Sequence, residues 1–382
     1  MVLGDLHLTR GTGAGVVADL VRVVRDHGGA RIVFVGDLFD MSAESPAPEH
    51  ARDVLGAHPE LREALGRHVD AGGSVWLVAG NHDAEVGVPG FAGELADALS
   101  LRGEARERLR ATPWFFRDGG LHLEHGHRFD PDNAPEHPLV VGAPSLGVHF
   151  VASFIASTGA HAYLNANDRT PLELFLNAFR WYGRRGPYVV WRFFHTAATS
   201  LLRSGPFYRA KDEGARGASA EGAFAEAHDV DSGVVSKLRE LGVTPTLAST
   251  PRTFLRLYLD RVIATVGIGT GVVTAATGAP VLGAAVAGGF AAAMASSWAF
   301  GRNRYGGNVA TALAAGARAV AETSGAHLVV FGHTHREHES TNYANTGSFA
   351  FPRRSESGRP FLEIEGDRAL PRAVRRRFVA PR

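Results

Sequence analysis

Five short clusters in the chain carry side chains able to hold a metal ion or move a proton. They are Asp5-x-His7, Gly36-Asp37-x-x-Asp40, Gly80-Asn81-His82-Asp83, His125-Gly126-His127 and Gly332-His333-x-His335. The last is the plainest case. Residues 326–330 (AHLVV) read as a buried strand, and the two histidines just beyond it, spaced by two, point the same way. Two imidazoles on one side of a strand end make poor core packing and good donors to a cation. The chain contains no cysteine, which excludes a disulfide framework and a thiolate site. Any metal must therefore be held by imidazole, carboxylate or amide. A lone Asp or His at a strand end reads as a turn or hydrogen-bonding residue, and Asp5 or His7 taken singly would be read so. Seven such residues together (Asp5, His7, Asp37, Asn81, His125, His333 and His335) do not fit that reading. His127 and Arg128 stay open between lining a site and satisfying a loop backbone.

These clusters need elements to position them. Residues 32–35 (IVFV) and 75–79 (VWLVA) are β-branched, apolar runs that end in the second and third clusters. Helix-like stretches at 15–27 and 48–71 separate the first three runs, so the order is strand, helix, strand, helix, strand. That is a layered α/β pattern, in which binding groups collect at the carboxyl ends of strands. In "LHLEHGHRFD" (121–130), Leu121, Leu123 and His125 fall on one face, predicting a further strand that delivers a histidine. Only Met1 to Gly4 precede Asp5, against about five or six residues in an ordinary strand. Either the natural start lies upstream or the first strand is unusually short. His27, His50, His58 and His68 match no cluster and are expected on exposed helices or loops. Residues 308–324 read as an Ala-rich helix leading back to the fourth run, and the tail alternates in "RPFLEIEGD" before a basic run, Arg375 to Arg377.

A chain of 382 residues can bury one large core or two smaller ones. With 40 Lys and Arg against 39 Asp and Glu, nothing global points to nucleic acid. No signal peptide is recognisable at Met1, so a cytoplasmic protein, or one at the cytoplasmic face of the inner membrane, is expected. The segment 139–305 is different in kind. Residues 139–167 contain no Asp, Glu, Lys or Arg. In 180–194, Arg180, Arg184, Arg185 and Arg192 interleave with Trp181, Tyr182, Tyr188 and Trp191, a pattern suited to an anionic lipid surface. Residues 210–232 are polar and rich in Ala and Gly, and read as a loop or linker. Residues 262–301 contain no charged side chain, and Gly278-Ala279-Pro280 divides them into two arms. The first arm, 262–277, is marginal for crossing a bilayer core. The pairs Gly267/Gly271 and Ala284/Gly288 would let the arms pack closely. Arg256 and Arg261 flank one end, Arg302 and Arg304 the other. A hairpin in contact with membrane lipid is favoured over a soluble helical cap.

In their order and spacing the five clusters resemble the motifs of the calcineurin-like metallophosphoesterase superfamily: DxH, GDxxD, GNH followed by an acid, a histidine followed by Gly, and GHxH. "NYANTGSF" (342–349) is similar to the segment that follows the last of these. The resemblance covers roughly 1–138 and 306–366. It implies a layered α/β/β/α sandwich with a large, mainly helical insertion: core in 1–138, insertion in 139–305, and core plus basic tail in 306–382. It also implies two divalent cations, Mn first and Fe or Zn as alternatives. Asp5, His7 and His335 would hold one, Asn81, His125 and His333 the other, and Asp37 would bridge them. A metal-bound hydroxide would attack the phosphorus of a phosphomonoester, phosphodiester or pyrophosphate, a lipid-linked substrate among the candidates, with both metals neutralising the equatorial oxygens. His82 would protonate the leaving oxygen, oriented by Asp40 or Asp83. The insertion is similar in position to that of the UDP-2,3-diacylglucosamine hydrolases, peripheral lipid A enzymes whose third motif tends to carry Arg where this chain has His82. Two other readings are a catalytically silent scaffold that binds partners through the insertion, and a membrane protein whose hairpin is regulated by the metal-binding domain.

Overall fold

The computed structural model describes residues 1–160, 171–208, 210–301, 308–352 and 358–379. It divides into two compact units. The first contains residues 1–152, 209–245 and 309–382; the second contains 153–208 and 246–308.

Among the described residues the first unit holds eleven strands: β1 (Val2–Leu3), β2 (Arg31–Val35), β3 (Ser74–Val78), β4 (Leu109–Thr112), β5 (Phe115–Asp118), β6 (Leu121–Glu124), β7 (Leu328–Phe331), β8 (His338–Glu339), β9 (Tyr343–Asn345), β10 (Arg359–Glu365) and β11 (Arg372–Phe378). They form a six-stranded sheet in the order β11-β10-β1-β2-β3-β4 and a five-stranded sheet in the order β5-β6-β7-β9-β8. Within the first sheet β1 to β4 run parallel, and within the second β6, β7 and β9 run parallel.

The alternation of side chains along each strand builds the layers. Val33 and Val35 of β2 join Leu328 and Val330 of β7 in one buried cluster between the sheets. Ile32 and Phe34 point the other way, into a cluster with Leu20 and Val24 of the helix Ala14–Asp26 and Leu61 and Leu65 of the helix Pro59–Asp70. Val329 and Phe331 likewise face the far side of the second sheet, against Leu313 and Val320 of the helix Asn308–Ser324 and Phe224 and Val235. The result is the α/β/β/α sandwich with additional helices.

Three expectations need correction. The stretch 210–232 is not a loop: Ala210–Ala227 is a helix of 18 residues, and Ser232–Glu240 is another. Alanine is the strongest helix former, and Phe224, Ala225, Val235 and Leu238 supply the apolar contacts that dock these helices on the second sheet. Residues 209–245, inside the span expected as the insertion, therefore pack with the first unit. His58 and His68 are buried rather than exposed. Their Nε2 atoms contact the carbonyls of Thr9 (2.6 Å) and Ala30 (3.0 Å), so they hold adjoining loops to the sandwich.

The second unit is helical, with Pro171–Tyr182, Gly186–Leu202 and Thr250–Arg256 ahead of a pair formed by Leu259–Ala276 and Pro280–Gly301. The break falls at 277–279, as expected. A Cβ on Gly267 would lie 2.2 Å from the Phe290 ring, and one on Gly271 2.5 Å from the Ala287 nitrogen, so both glycines are needed for the close approach. The partner on the second arm is Gly283 with Ala287, not Ala284 with Gly288, because a Cβ on Gly288 would meet nothing within 4 Å. Arg302 and Arg304 lie outside the described residues.

Candidate metal centre

Five strands deliver the clusters. Asp5 and His7 follow β1, Asp37 follows β2, Asn81 and His82 follow β3, His125 follows β6, and His333 and His335 follow β7. All five belong to the parallel parts of the two sheets, so their carboxyl ends open on one side of the sandwich. Each chain must turn at once after its strand. Asp5 (φ 53°), His7 (φ 46°), Asp37 (φ 51°), His333 (φ 69°) and His335 (φ 53°) all adopt left-handed backbone, which costs about 1–3 kcal/mol apiece for a residue with a Cβ. Strain of this kind, concentrated on the very residues singled out by type and spacing, is a signature of a functional site.

Glycines make room for the rest. A Cβ on Gly36, itself at φ +76°, would lie 2.2 Å from Nδ1 of His125. One on Gly80 would lie 2.1 Å from Oδ1 of Asp37, and one on Gly332 2.6 Å from Oδ2 of Asp5. The glycine preceding His333 thus leaves space for a carboxylate.

The side chains converge. Nε2 of His7 is 3.0 Å from Nε2 of His335, and Nε2 of His335 is 3.4 Å from Oδ1 of Asp5. Oδ2 of Asp37 lies 3.7 Å from Nε2 of His7 and 3.1 Å from Nε2 of His125, so one oxygen faces both groups of ligands. His125 Nε2 is also 3.1 Å from Oδ1 of Asn81, whose amide nitrogen donates to Oδ1 of Asn133 at 3.2 Å. Among the described residues, three sets have donor atoms that lie within 4.8 Å of one another: Asp5, His7 and His335; Asp5, Asp37 and His125; and His7, Asp40 and His82. His333 is in none of these sets; its ring packs edge-on against His125 with centroids 5.2 Å apart.

What holds these rings decides which nitrogen each one offers. Nδ1 of His125 donates to the Val35 carbonyl at 3.1 Å, Nδ1 of His7 lies 3.3 Å from Oδ2 of Asp40, and Nε2 of His333 donates to Oδ2 of Asp130 at 3.0 Å. One ring nitrogen is engaged in each case, which leaves the other to serve a cation once it has given up any proton, the arrangement typical of metal-ligating histidines. The His335 ring lies nearly parallel to that of Phe351, at 8° and 6.5 Å. The third donor set is thereby explained without an ion. Its His7 contact uses Nδ1, and Asp40 also accepts from Nδ1 of His82 at 3.1 Å and from Oγ of Ser42 at 2.9 Å. Asp40 is thus the carboxylate beside His82.

Asp83, expected as an alternative orienting group for His82, turns to the backbone instead. It accepts from the N–H groups of Asp37, Leu38, Phe39 and Gly80 at 2.7–3.3 Å, and so fixes the turn that carries Asp37. The segment after β7 has a similar task. Asn345 donates to the Gly332 carbonyl at 2.6 Å and Ser348 Oγ to the Asp5 carbonyl at 2.7 Å. Arg128 is structural: buried between Trp114 and Phe129, it pairs with Glu124 at 3.0 Å. His127 stands 5.3 Å from the His125 ring, at the edge of the pocket. Asp130 and Asn133 escaped sequence reasoning, although "HGHRFDPDN" places both within eight residues of His125.

The electrostatics favour a cation. Asp5, Asp37, Asp40, Asp83 and Asp130 are all buried, and among the described residues their partners are backbone N–H groups, Ser, Asn and His, with no Lys or Arg. Uncompensated buried charge is costly. In the protein alone, protons supply the compensation: burial opposes charge on His125, yet the Asp37 carboxylate beside it pushes its pKa up to about 9. Histidines, carboxylates and an amide oxygen are a donor set suited to a divalent ion of the Mn, Fe or Zn type.

Residues 1–178 match the family model of the calcineurin-like phosphoesterases. No curated protein matches the chain. The matched span contains the first four clusters, and the fold brings the fifth, from β7, into the same pocket. Residues 1–178 are thus similar to the calcineurin-like phosphoesterases, and the pocket that they form with β7 holds Asp and His clusters able to bind a metal ion.

Proposed function

We propose that the chain is a dinuclear metal-dependent phosphoesterase, with Asp5, His7 and His335 at one cation, Asn81, His125 and His333 at the other, and Asp37 shared. The observation that carries this reading is the tying of His7, His125 and His333 by Asp40, the Val35 carbonyl and Asp130. That arrangement spends a hydrogen bond on one nitrogen of each ring and leaves the second for a cation. Two bound divalent cations lower the pKa of water towards neutrality and neutralise charge on the phosphoryl oxygens. The chain's own residues do the rest. His82 gives the leaving oxygen its proton from Nε2, because Nδ1 is committed to Asp40. Burial disfavours the charged ring, but Asp40 and Asp37 outweigh it and push the His82 pKa up to about 10, so the ring is protonated at neutral pH. Cationic charge in the pocket would bring that value down towards the range where a general acid works best. No ligand position of the motif set is replaced, which weighs against a silent scaffold.

The scissile bond is a phosphomonoester, phosphodiester or pyrophosphate. A lipid-linked substrate is favoured by the apolar hairpin of the second unit. The test is His82→Ala assayed on phosphoesters of graded leaving-group pKa with metal content measured on the same sample. Metal should be retained, with turnover of alkyl esters falling about 10²–10⁴-fold and activated aryl esters falling far less. Equal losses on both would remove His82 as the acid. Inertness of the wild-type chain with two metals bound would overturn the enzyme reading.

A further inference from the structure

The helices Leu259–Ala276 and Pro280–Gly301 are long and apolar enough to cross a membrane. They pack tightly on each other through Gly267, Gly271 and Gly283, and beyond that seam their surface is bare. In the second helix Gly283 is the only residue of the described span that is buried; Val281 is 84% and Phe300 91% exposed. A helix that is apolar all round belongs in a large core or in lipid. Three hydroxyls of the hairpin suit lipid as well. Those of Thr265, Thr274 and Thr277 donate to the carbonyls of Arg261, Thr270 and Val273 at 2.8–2.9 Å, so they need no water.

Two features of the same unit fix the kind of surface and the depth. Between Glu173 and Asp212 there is no acidic residue, and here Arg180, Arg184 and Arg185 are exposed beside exposed Phe179, Tyr188 and Trp191. Such a mixture fits the headgroup region of an anionic bilayer. Arg261 marks the base of the hairpin. It donates from Nε to Oγ of Ser297 at 2.9 Å, caps the Gly301 carbonyl, and sits between the rings of Tyr258 and Trp298. From that level to the turn, residues 262–276 rise about 22 Å and residues 280–296 about 26 Å at 1.5 Å per residue. Both fall short of the roughly 30 Å hydrocarbon core.

We infer that the hairpin enters an anionic bilayer from one side and stops within it, with Arg261, Trp298 and the Arg-aromatic helices at the headgroups. This makes the second unit a monotopic anchor, and it does not rest on the phosphoesterase reading.

The experiment uses the full-length chain and vesicles of phosphatidylcholine with or without phosphatidylglycerol. The wild type should float with phosphatidylglycerol vesicles and stay bound in high salt. Val266→Glu combined with Val281→Glu, both at exposed positions, should lower partitioning by at least about a hundredfold with an unchanged thermal melt by circular dichroism. Depth is read from Thr277→Cys, which gives a single labelling site because the chain has no cysteine. A fluorophore there should be quenched by lipids brominated near the bilayer centre and shielded from aqueous iodide on both sides. Wild type that remains in the aqueous fraction as a monomer would establish a soluble cap and overturn the inference. A vesicle-independent dimer abolished by the same double substitution would assign the surface to a second copy instead. Iodide access from the far side would mean a full crossing and overturn the one-sided depth.

Discussion

Asp40→Asn probes both halves of the site at once. One carboxylate oxygen lies 3.3 Å from Nδ1 of His7, and the other accepts from Nδ1 of His82 at 3.1 Å. An amide keeps the shape, but it has one acceptor where two ring N–H groups need one each, and it sets an NH₂ group against the other. At His7 the loss is that of an orienting carboxylate behind a metal ligand, about 10–100-fold in metal affinity, or about 1.4–2.8 kcal/mol. At His82 it is the loss of the charge that keeps the ring protonated, so general-acid catalysis, worth about 10²–10⁴-fold, should largely vanish. The two effects separate experimentally. Manganese titration followed by EPR gives the affinity. Rates at saturating manganese, compared for an alkyl and an aryl phosphodiester, give the acid component, since a good leaving group needs little protonation. The ratio of aryl to alkyl rates should rise by a hundredfold or more over wild type. Wild-type affinity together with a wild-type ratio would show that Asp40 positions neither ring.

Gly36→Ala should cost the centre its His125 ligand, because the new methyl would lie 2.2 Å from the ring in a backbone conformation unfavourable to alanine; a metal stoichiometry equal to wild type would count against the close approach. Manganese binding at pH 7 should release at least one proton, because His125 with its pKa raised to about 9 is protonated in the cation-free protein and must give up that proton to coordinate. The sign follows from the direction of the shift: affinity should rise with pH up to about 9 and then level off. Calorimetry in buffers of different ionisation enthalpy measures the release, and a value of zero would mean that His125 is not displaced by metal.

The motif residues were legible because their chemistry is unusual for strand ends and because five clusters had to be explained together. Their roles were less so. Whether Asp40 or Asp83 stands behind His82 depends on how the turn after β2 folds, and four backbone N–H groups claim Asp83. Asp130 had no signal of its own, since its partner His333 lies 203 positions further along the chain. The layered core was readable from alternating apolar residues in β2 and β7. The helix Ala210–Ala227 was not, because its composition resembles a linker and its docking rests on a few residues such as Phe224 and Ala225, whose partners on the second sheet are distant in sequence. His58 and His68 were misplaced for the same reason: a histidine that caps a distant carbonyl looks like any surface histidine until the loop that it holds is known.

Anomalous diffraction from crystals of the manganese-loaded chain would test the centre most directly. Two peaks are expected, one among Asp5, His7 and His335 and one among Asn81, His125 and His333, with an oxygen of Asp37 between them. A single peak held by His7, Asp40 and His82, or no peak in this pocket at saturating manganese, would contradict it.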